Sequence, residues 1–163
     1  MMMTPKQERI YKPEYAIELI RIAEGDLGSA TVLYRAEMKA AEAQTQAQKT
    51  GEDNENSKDF DEDIISGRLE NICYLSQQCI EKAIKAVLCH LGIPIPLSHD
   101  LDLLISKIPQ EHNFPINSSL SELTLFASIR RYEEGVLVLN GEDLTASIDI
   151  AKQVLSWSKS ILK

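Results

Sequence analysis

The sequence predicts an all-α protein, built as an up-and-down bundle of four main helices plus one short helix. Three observations favour this class. Apolar residues recur every three or four positions over long stretches of the 163-residue chain. One tryptophan, five tyrosines, three phenylalanines and seven glycines are fewer than the aromatic strands and turns of a β-rich fold use. Most helix ends lie close to the next helix start, so the helices are expected to pack antiparallel in a single domain of residues 1–163.

The first predicted helix spans residues 13–51 and follows a polar, loose segment at residues 1–12. Proline suits a first helical position, which Pro13 occupies. Gly25 and Gly28 either weaken this helix by about 1 kcal/mol each relative to alanine or mark the close approach of a neighbouring element. The apolar face of the helix is formed by Ile17, Ile20, Ala23, Leu27, Ala30, Tyr34 and Met38.

Residues 36–62 are predicted to be an insertion in the bundle. After Arg35 the helix has almost no large apolar side chain to bury, so it is expected to project into solvent as far as Gly51, where an acidic, disordered linker begins. Seven acidic residues and one lysine at 52–63 hold −6 of the formal net charge of −8. No basic stripe stands out elsewhere, which argues against nonspecific binding of DNA or RNA.

The central helix, predicted at residues 59–91, presents an apolar band broad enough to contact more than one neighbour. Glu81 and Lys85 stand at i,i+4 in the favourable order, which contributes about 0.3 kcal/mol on an exposed face. Gly92 fits a left-handed C-terminal cap. The band comprises Ile65, Leu69, Ile72, Cys73, Cys79, Ile80, Ala83, Ile84, Val87 and Leu91, and the opposite face carries Gln77, Gln78, Glu81, Lys82 and Lys85.

Three further helices are predicted after an extended turn that Pro94 and Pro96 impose. Each has a capping serine, threonine or aspartate near its start, and Ser119 with Glu122 fits a capping box. The three segments are a short helix within residues 98–109, a fourth helix from 118 or 119 to about 134, and a last helix that begins at 143 or 145.

The cysteines Cys73, Cys79 and Cys89 all fall in the central apolar helix. This placement is typical of buried, reduced thiols and not of a disulfide framework. The cytoplasm is therefore the expected compartment. No apolar run approaches the roughly 18 residues that a membrane span needs, and residues 1–13 lack the apolar centre of a signal peptide.

The histidines lack the spacing of a metal site, since His90, His99 and His112 have neither an i+4 histidine nor a CxxC partner. We expect no metal and no cofactor. His90 ends a helix, and His112 lies in a polar loop. His99 follows the proline turn, and its ring nitrogen is expected to hydrogen-bond the turn and so pin the corner between two helices; the alternative is a ligand or catalytic role.

The only two adjacent arginines in the chain are Arg130 and Arg131, and Tyr132 follows them directly. Helical spacing places Arg131 toward the bundle groove, where a guanidinium can clamp a phosphate or carboxylate and Tyr132 can stack. A salt bridge to Glu133, Glu134 or a neighbouring helix explains the pair equally well.

Residues 75–108, LSQQCIEKAIKAVLCHLGIPIPLSHDLDLLISKI, resemble the HEPN domain family (higher eukaryotes and prokaryotes nucleotide-binding). The resemblance extends over residues 15–162, with 36–62 as the insertion. The pieces that carry it are Ala23, Asp26, Leu27 and Ala30, then Gln77-Gln78, Glu81-Lys82-Ala83, Lys85-Ala86, Leu88, Gly92, His99-Asp100-Leu101 and Leu104, then Arg131-Tyr132, Ala151 and Trp157.

The resemblance implies an all-α bundle that is usually a homodimer, often encoded beside a minimal nucleotidyltransferase in toxin–antitoxin or defence systems. Some members are metal-independent ribonucleases that use Arg-x4-6-His. Here no arginine lies five to seven positions before His90, His99 or His112, and no histidine follows Arg130 or Arg131 at all.

The leading interpretation is a noncatalytic dimer that binds a nucleotide, RNA or a nucleotidyltransferase partner through Arg131, Tyr132, His99 and Arg130. The alternative is a divergent ribonuclease toxin in which Arg131 or Arg130 meets His99 in space. A third interpretation is a structural assembly subunit that uses the acidic extension as its contact.

Overall fold

Three long helices dominate the fold, which a computed structural model describes over residues 7–51, 58–125 and 141–163, with side chains in the second helix from residue 69 onward. The predicted all-α class is confirmed. In chain order the described elements are β1 (Glu8–Arg9), α1 (Tyr15–Thr50), α2 (Lys58–His90), β2 (Ile95–Pro96), α3 (Leu101–Ser106), a 3-10 helix (Gln110–His112), α4 (Ser121–Leu125) and α5 (Gly141–Ile161).

Side-chain contacts fix the directions of the long helices. Tyr34 of α1 contacts Thr145 near the start of α5, and Glu24, earlier in α1, contacts Lys159 near the end of α5. The two helices therefore run antiparallel. On α2, Ser76 contacts Ser147 of α5 and the Ala83 carbonyl accepts from Ser158, so α2 and α5 run parallel. These directions agree with an up-and-down bundle.

The core lies where α2 meets α1 and α5, because the apolar band of α2 is wide enough to serve both neighbours. Side chains from all three long helices and from the short elements are excluded from solvent there. The largest apolar ones that are fully buried are Ile72, Ile80, Ile84, Val87, Leu88, Ile95, Leu101, Leu104, Leu144 and Val154.

Two residues of the polar face predicted for α2 are buried, which corrects the sequence-based interpretation of this face. Gln77 is fully buried and Glu81 is 4% exposed, whereas Gln78, Lys82 and Lys85 are partly exposed. Part of the reason is tertiary, because the chain after α2 folds back and brings His99 onto the Glu81 side chain. The free, buried state predicted for the three cysteines is confirmed.

The N-terminal segment is more ordered than predicted. Glu8 and Arg9 pair antiparallel with Pro96 and Ile95, and Leu97 N–H donates to the Gln7 carbonyl at 2.9 Å. The extended backbone that the prolines impose on β2 offers the N-terminal chain an edge with which to pair. The expectation of a loose segment therefore fails for residues 7–12, while residues 1–6 lie outside the described part.

Gly25 and Gly28 do not approach another part of the described chain. A Cβ atom at either position would meet no atom within 4 Å, so the described residues do not supply the close neighbour that was one of the two explanations. The helix also stays with the bundle longer than expected, because Glu37 is only 6% exposed. Residues 41–50 are all exposed and form the predicted solvent-projecting part, which ends at left-handed Gly51.

Several predicted features lie outside the described residues. These are most of the acidic linker, at 52–57, and the fourth helix beyond Leu125 with Arg130, Arg131 and Tyr132. Among the described helices, none is long and apolar enough to cross a membrane.

Candidate functional site

The candidate site is built on the proline corner, which we define as residues 91–100. The corner begins with a Schellman motif, in which Gly92 is left-handed with φ 69°. The Gly92 N–H donates to the Cys89 carbonyl, and the Ile93 N–H donates to the Leu88 carbonyl at 2.9 Å. This motif ends α2 sharply. The chain then runs back along α2 as the short strand β2.

The corner ends in a second capping arrangement. The Asp100 carboxylate accepts from the Leu103 N–H at 3.2 Å and so starts α3, and the Ser98 hydroxyl accepts from the Asp100 N–H at 3.1 Å. Leu101 N–H donates to the Thr124 hydroxyl of α4 at 3.1 Å. His99 is therefore held between two fixed caps, facing the turn of α2 that carries Glu81.

Glu81 is the centre of the site. Its Oε2 accepts from Gln77 Nε2 at 2.9 Å, and its Oε1 accepts from Lys85 Nζ at 2.7 Å. His99 Nδ1 lies 3.0 Å from Oε2 and 3.1 Å from Oε1. Both carboxylate oxygens thus accept from donors that two different segments supply, which is what a buried carboxylate requires.

The Glu81 carboxylate is held in its charged form. Burial raises its pKa, but the Lys85 ammonium and the hydrogen bonds from Lys85, Gln77 and His99 outweigh burial, so the pKa lies below its ordinary value of 4.5. Glu81 is therefore ionised at neutral pH and can only accept hydrogen bonds.

The charge on Glu81 determines which nitrogen of His99 carries hydrogen. Because the carboxylate donates nothing, Nδ1 must be the donor, and the neutral ring then has an unprotonated Nε2. The His99 side chain is 63% exposed, whereas that of Glu81 is 5% exposed. The arrangement presents an oriented imidazole to solvent, with its buried end tied to a carboxylate, and such a ring can accept a hydrogen bond or a proton from a ligand.

The surroundings of the pair are close to electrically neutral. Lys85 offsets Glu81, and Lys82 forms an ion pair with Asp26 of α1 at 2.5 Å. Gln78 Nε2 donates to Gln77 Oε1 at 2.7 Å and extends the network along α2. These described charges therefore do not attract phosphate by an excess of positive charge, so recognition by the described side chains rests on directed hydrogen bonds.

Nucleophilic and metal chemistry find no support in the described residues. Burial raises the pKa of Cys73 to about 11 and that of Cys79 to about 12, so both remain thiols at neutral pH. Within those residues no three His, Cys, Asp or Glu side chains are grouped to hold a metal ion.

The structure places one of the four predicted site residues. His99 pins the corner as expected, although its partner is the Glu81 side chain and not the backbone of the turn. Arg130, Arg131 and Tyr132 lie outside the described residues, so their distance from His99 stays untested. His90 is exposed at the end of α2, and the His112 carbonyl accepts from Trp157 Nε1 at 2.7 Å.

Sequence reasoning missed Glu81 and Gln77 as site residues. The available signal was the run of Gln77, Glu81 and Lys85 at four-residue spacing, which places a donor on each side of a carboxylate along one helix face. The missing part was the return of the chain that buries this face.

A separate open groove of about 580 Å³ lies between α1 and α5. It shares no residue with the proline corner, and it therefore does not add to the His99 site. Its lining consists of Tyr34, Met38, Gly141, Glu142, Thr145, Ala146 and Asp149.

Comparison with known proteins adds one match. A model of the HEPN domain matches residues 54–161, a span that includes α2, the proline corner and α5. No curated protein and no solved structure matches the chain significantly.

Proposed function

The chain belongs to the HEPN domain family, and from this premise we propose that it is a noncatalytic, dimeric binding protein whose ligand is a nucleotide or RNA. Membership of the family supports a nucleotide- or RNA-related function at the family level. The proposal adds that the protein is cytoplasmic, that it acts beside a minimal nucleotidyltransferase in a toxin–antitoxin or defence system, and that the ligand contacts the proline corner.

The observation that carries the proposal is the Glu81–His99 pair. A buried, ionised carboxylate orients an imidazole that is itself 63% exposed. Orienting a side chain before binding lowers the entropy lost when a ligand is bound. Nε2 of His99 is then a directed acceptor for the N–H or O–H groups of a base or ribose, in a neutral setting where hydrogen-bond geometry decides selectivity.

Arg130 and Arg131 supply the anion-binding part of the proposed site. The Thr124 hydroxyl accepts from Leu101, two residues after His99, so the described end of α4 reaches the corner. Arg130, Arg131 and Tyr132 follow Thr124 by six to eight positions in sequence. The proposal assigns phosphate contacts to the arginines and base stacking to Tyr132.

The test is a thermal-shift screen of the full chain against nucleotides and short RNAs. A ligand present at 100 times its dissociation constant stabilises the protein by about 2.7 kcal/mol, which a melting curve resolves. We expect at least one compound to stabilise the wild type and to lose that effect in His99→Ala. The matched control is His90→Ala, since His90 is an exposed histidine at the end of α2, just before the proline corner that carries His99.

The proposal fails in two ways that the screen separates. If no nucleotide or RNA stabilises the wild type, the ligand class is wrong. If a ligand stabilises wild type and His99→Ala equally, the ligand class stands but the site is elsewhere.

The nucleotidyltransferase partner is tested independently. We expect a minimal nucleotidyltransferase to be encoded next to this gene and its product to co-purify with this chain. Absence of the reading frame together with failure to co-purify would exclude this part of the proposal.

A metal-independent ribonuclease is the second candidate, and one observation favours it. In the neutral ring of His99 the Glu81 carboxylate places the hydrogen on Nδ1, and Nε2 is then the free nitrogen that a general base needs to activate the ribose 2′-hydroxyl. Against this candidate, the family's Arg-x4-6-His pattern is absent from the sequence. A reaction at this corner would require Arg131 or Arg130 to meet His99 in space.

Cleavage of a labelled RNA in the presence of EDTA separates the two candidates. The ribonuclease hypothesis requires activity in the wild type that disappears in His99→Ala and in Arg131→Ala or Arg130→Ala. Undetectable wild-type cleavage, or cleavage that survives these changes, would reject it and leave the binding function.

A further inference from the structure

The outward face of α1 has no partner among the described residues, although it carries two large apolar side chains. Ile17 is 73% exposed and Val32 is 66% exposed. They lie on the side of the helix opposite to the buried residues Ala16, Leu19, Ala23 and Ala30. Covering both side chains with a second protein would remove this apolar surface from water.

The net charge of this face differs between its two halves. The N-terminal half has Glu14, just before the helix, and Glu18 and Arg21, which form an exposed ion pair with each other; the C-terminal half has Arg35 and Lys39. All five side chains are exposed or partly exposed. A parallel copy of the same helix would place like charges beside each other, whereas an antiparallel copy places acidic residues opposite basic ones.

We propose that the outward face of α1 is the surface through which two copies of this chain associate, with the two α1 helices antiparallel and crossing between Gly25 and Gly28. About this crossing, Glu18 faces Arg35 of the second copy and Glu14 faces its Lys39. Ile17 faces the small side chain of Ala36, and Arg21 can lay its methylene chain on Val32. Each contact occurs twice, as a two-fold interface requires.

The midpoint of the proposed crossing explains two glycines for which the described part of the chain offers no packing partner. Gly25 and Gly28 disfavour a helix, and no other part of the described chain approaches them. Both glycines are exposed on the same face as Ile17 and Val32. Glycine lets the backbones of two helices come close, so the cost in helix propensity is offset only when a second helix is present.

This inference rests on the dimer in the proposed function and adds the surface that forms it. The test measures the mass of the full chain in solution by sedimentation equilibrium over a wide concentration range. We expect the wild type to be a dimer. Glu18→Lys and Arg35→Glu should each weaken dimerisation by about tenfold or more, because each variant places like charges opposite each other twice.

The double variant Glu18→Lys with Arg35→Glu provides the decisive measurement. It restores opposite charges across the proposed crossing, so dimerisation should recover toward that of the wild type. Lys49→Glu, an exposed charge reversal at the far end of α1, is the matched control and should leave dimerisation unchanged.

Gly28→Leu is an independent probe, because leucine favours the helix of the separate chain but blocks close approach of two backbones. We expect a chain that remains folded by circular dichroism and becomes monomeric. Dimers that persist in Gly28→Leu and in both single charge variants would overturn the α1 surface while leaving the dimer of the proposed function intact. A monomeric wild type would overturn both, and the ligand screen would still test binding.

Discussion

Nδ1 of His99 lies 3.0 Å from Oε2 of Glu81, although the two residues are separated by the end of α2 and by a chain reversal. The pair joins the exposed proline corner to the buried side of the central helix. Because a single carboxylate accepts from α2 and from the corner, a change at Glu81 should affect both the stability of the fold and the orientation of the candidate site.

Replacing Glu81 by glutamine should lower the free energy of unfolding by about 2 kcal/mol. The amide group would turn an N–H toward Gln77, Lys85 or His99, all of which donate to the carboxylate. Urea unfolding followed by the fluorescence of Trp157, the only tryptophan, measures the change. The control is Glu24→Gln at the exposed ion pair with Lys159, where a loss below about 0.5 kcal/mol is expected.

The contribution of Glu81 should also depend on pH in one direction. Its folded pKa lies below the ordinary value of 4.5, so its stabilisation is complete above pH 4.5 and is lost as the pH falls through the folded pKa. The difference in unfolding free energy between the wild type and Glu81→Gln should therefore shrink below pH 4.5. A difference that stays constant from about pH 7 to about pH 3 would contradict the assigned ionisation.

The neutral ring of His99 should carry its hydrogen on Nδ1. Nitrogen-15 NMR of the full chain distinguishes the two tautomers, and the exposed imidazole of His90 serves as an internal reference without a carboxylate partner in the described structure. The Nδ1–H form should dominate for His99 and lose its dominance in Glu81→Met. Observation of the Nε2–H form in the wild type would remove the directed acceptor on which the proposed site depends.

Gly92 should tolerate alanine poorly, because its φ of 69° is left-handed and a Cβ is strained there. We expect Gly92→Ala to lower the free energy of unfolding by about 1 kcal/mol. Gly51 has a similar φ of 73° but ends an exposed segment. Since that last turn can open without disturbing the core, Gly51→Ala should leave the melting temperature unchanged. Equal losses of unfolding free energy in Gly51→Ala and Gly92→Ala would refute this distinction.

Ile84 tests the position of the core. It is completely buried in the cluster where α2 meets its neighbours, so Ile84→Ala should lower the unfolding free energy by about 3 kcal/mol. Ile10 is 71% exposed, and Ile10→Ala should change it by less than about 0.5 kcal/mol. Denaturant titration of both variants gives the comparison, and similar effects would mean that the core is misplaced.

Much of the fold could be predicted because its signals are local. The left-handed residues Gly51 and Gly92 end α1 and α2 where expected, and α3 begins after a capping aspartate, Asp100, within the segment predicted for the short helix. Helical periodicity also identified most of the buried apolar side chains in the described part of α2. These features depend on neighbours only a few residues away, which a sequence displays directly.

The candidate site was predicted less well, because it depends on contacts between distant segments. His99 was recognised, but Glu81 was assigned to an exposed polar face. The pairing of residues 8–9 with 95–96 was also missed, since neither segment has the alternating pattern of a longer strand. Arg130, Arg131 and Tyr132 remain predicted site residues.

By itself the sequence determined an all-helical chain with a broad apolar central helix, a rigid corner after it and a charged helical extension. Periodicity, capping residues and prolines suffice for this, since each acts within a few bonds of the backbone. Only the tertiary structure decided that Gln77 and Glu81 of α2 are buried and that His99 meets Glu81. The physical reason is that a carboxylate looks the same in a sequence whether water or a returning loop covers it, and packing alone makes that choice.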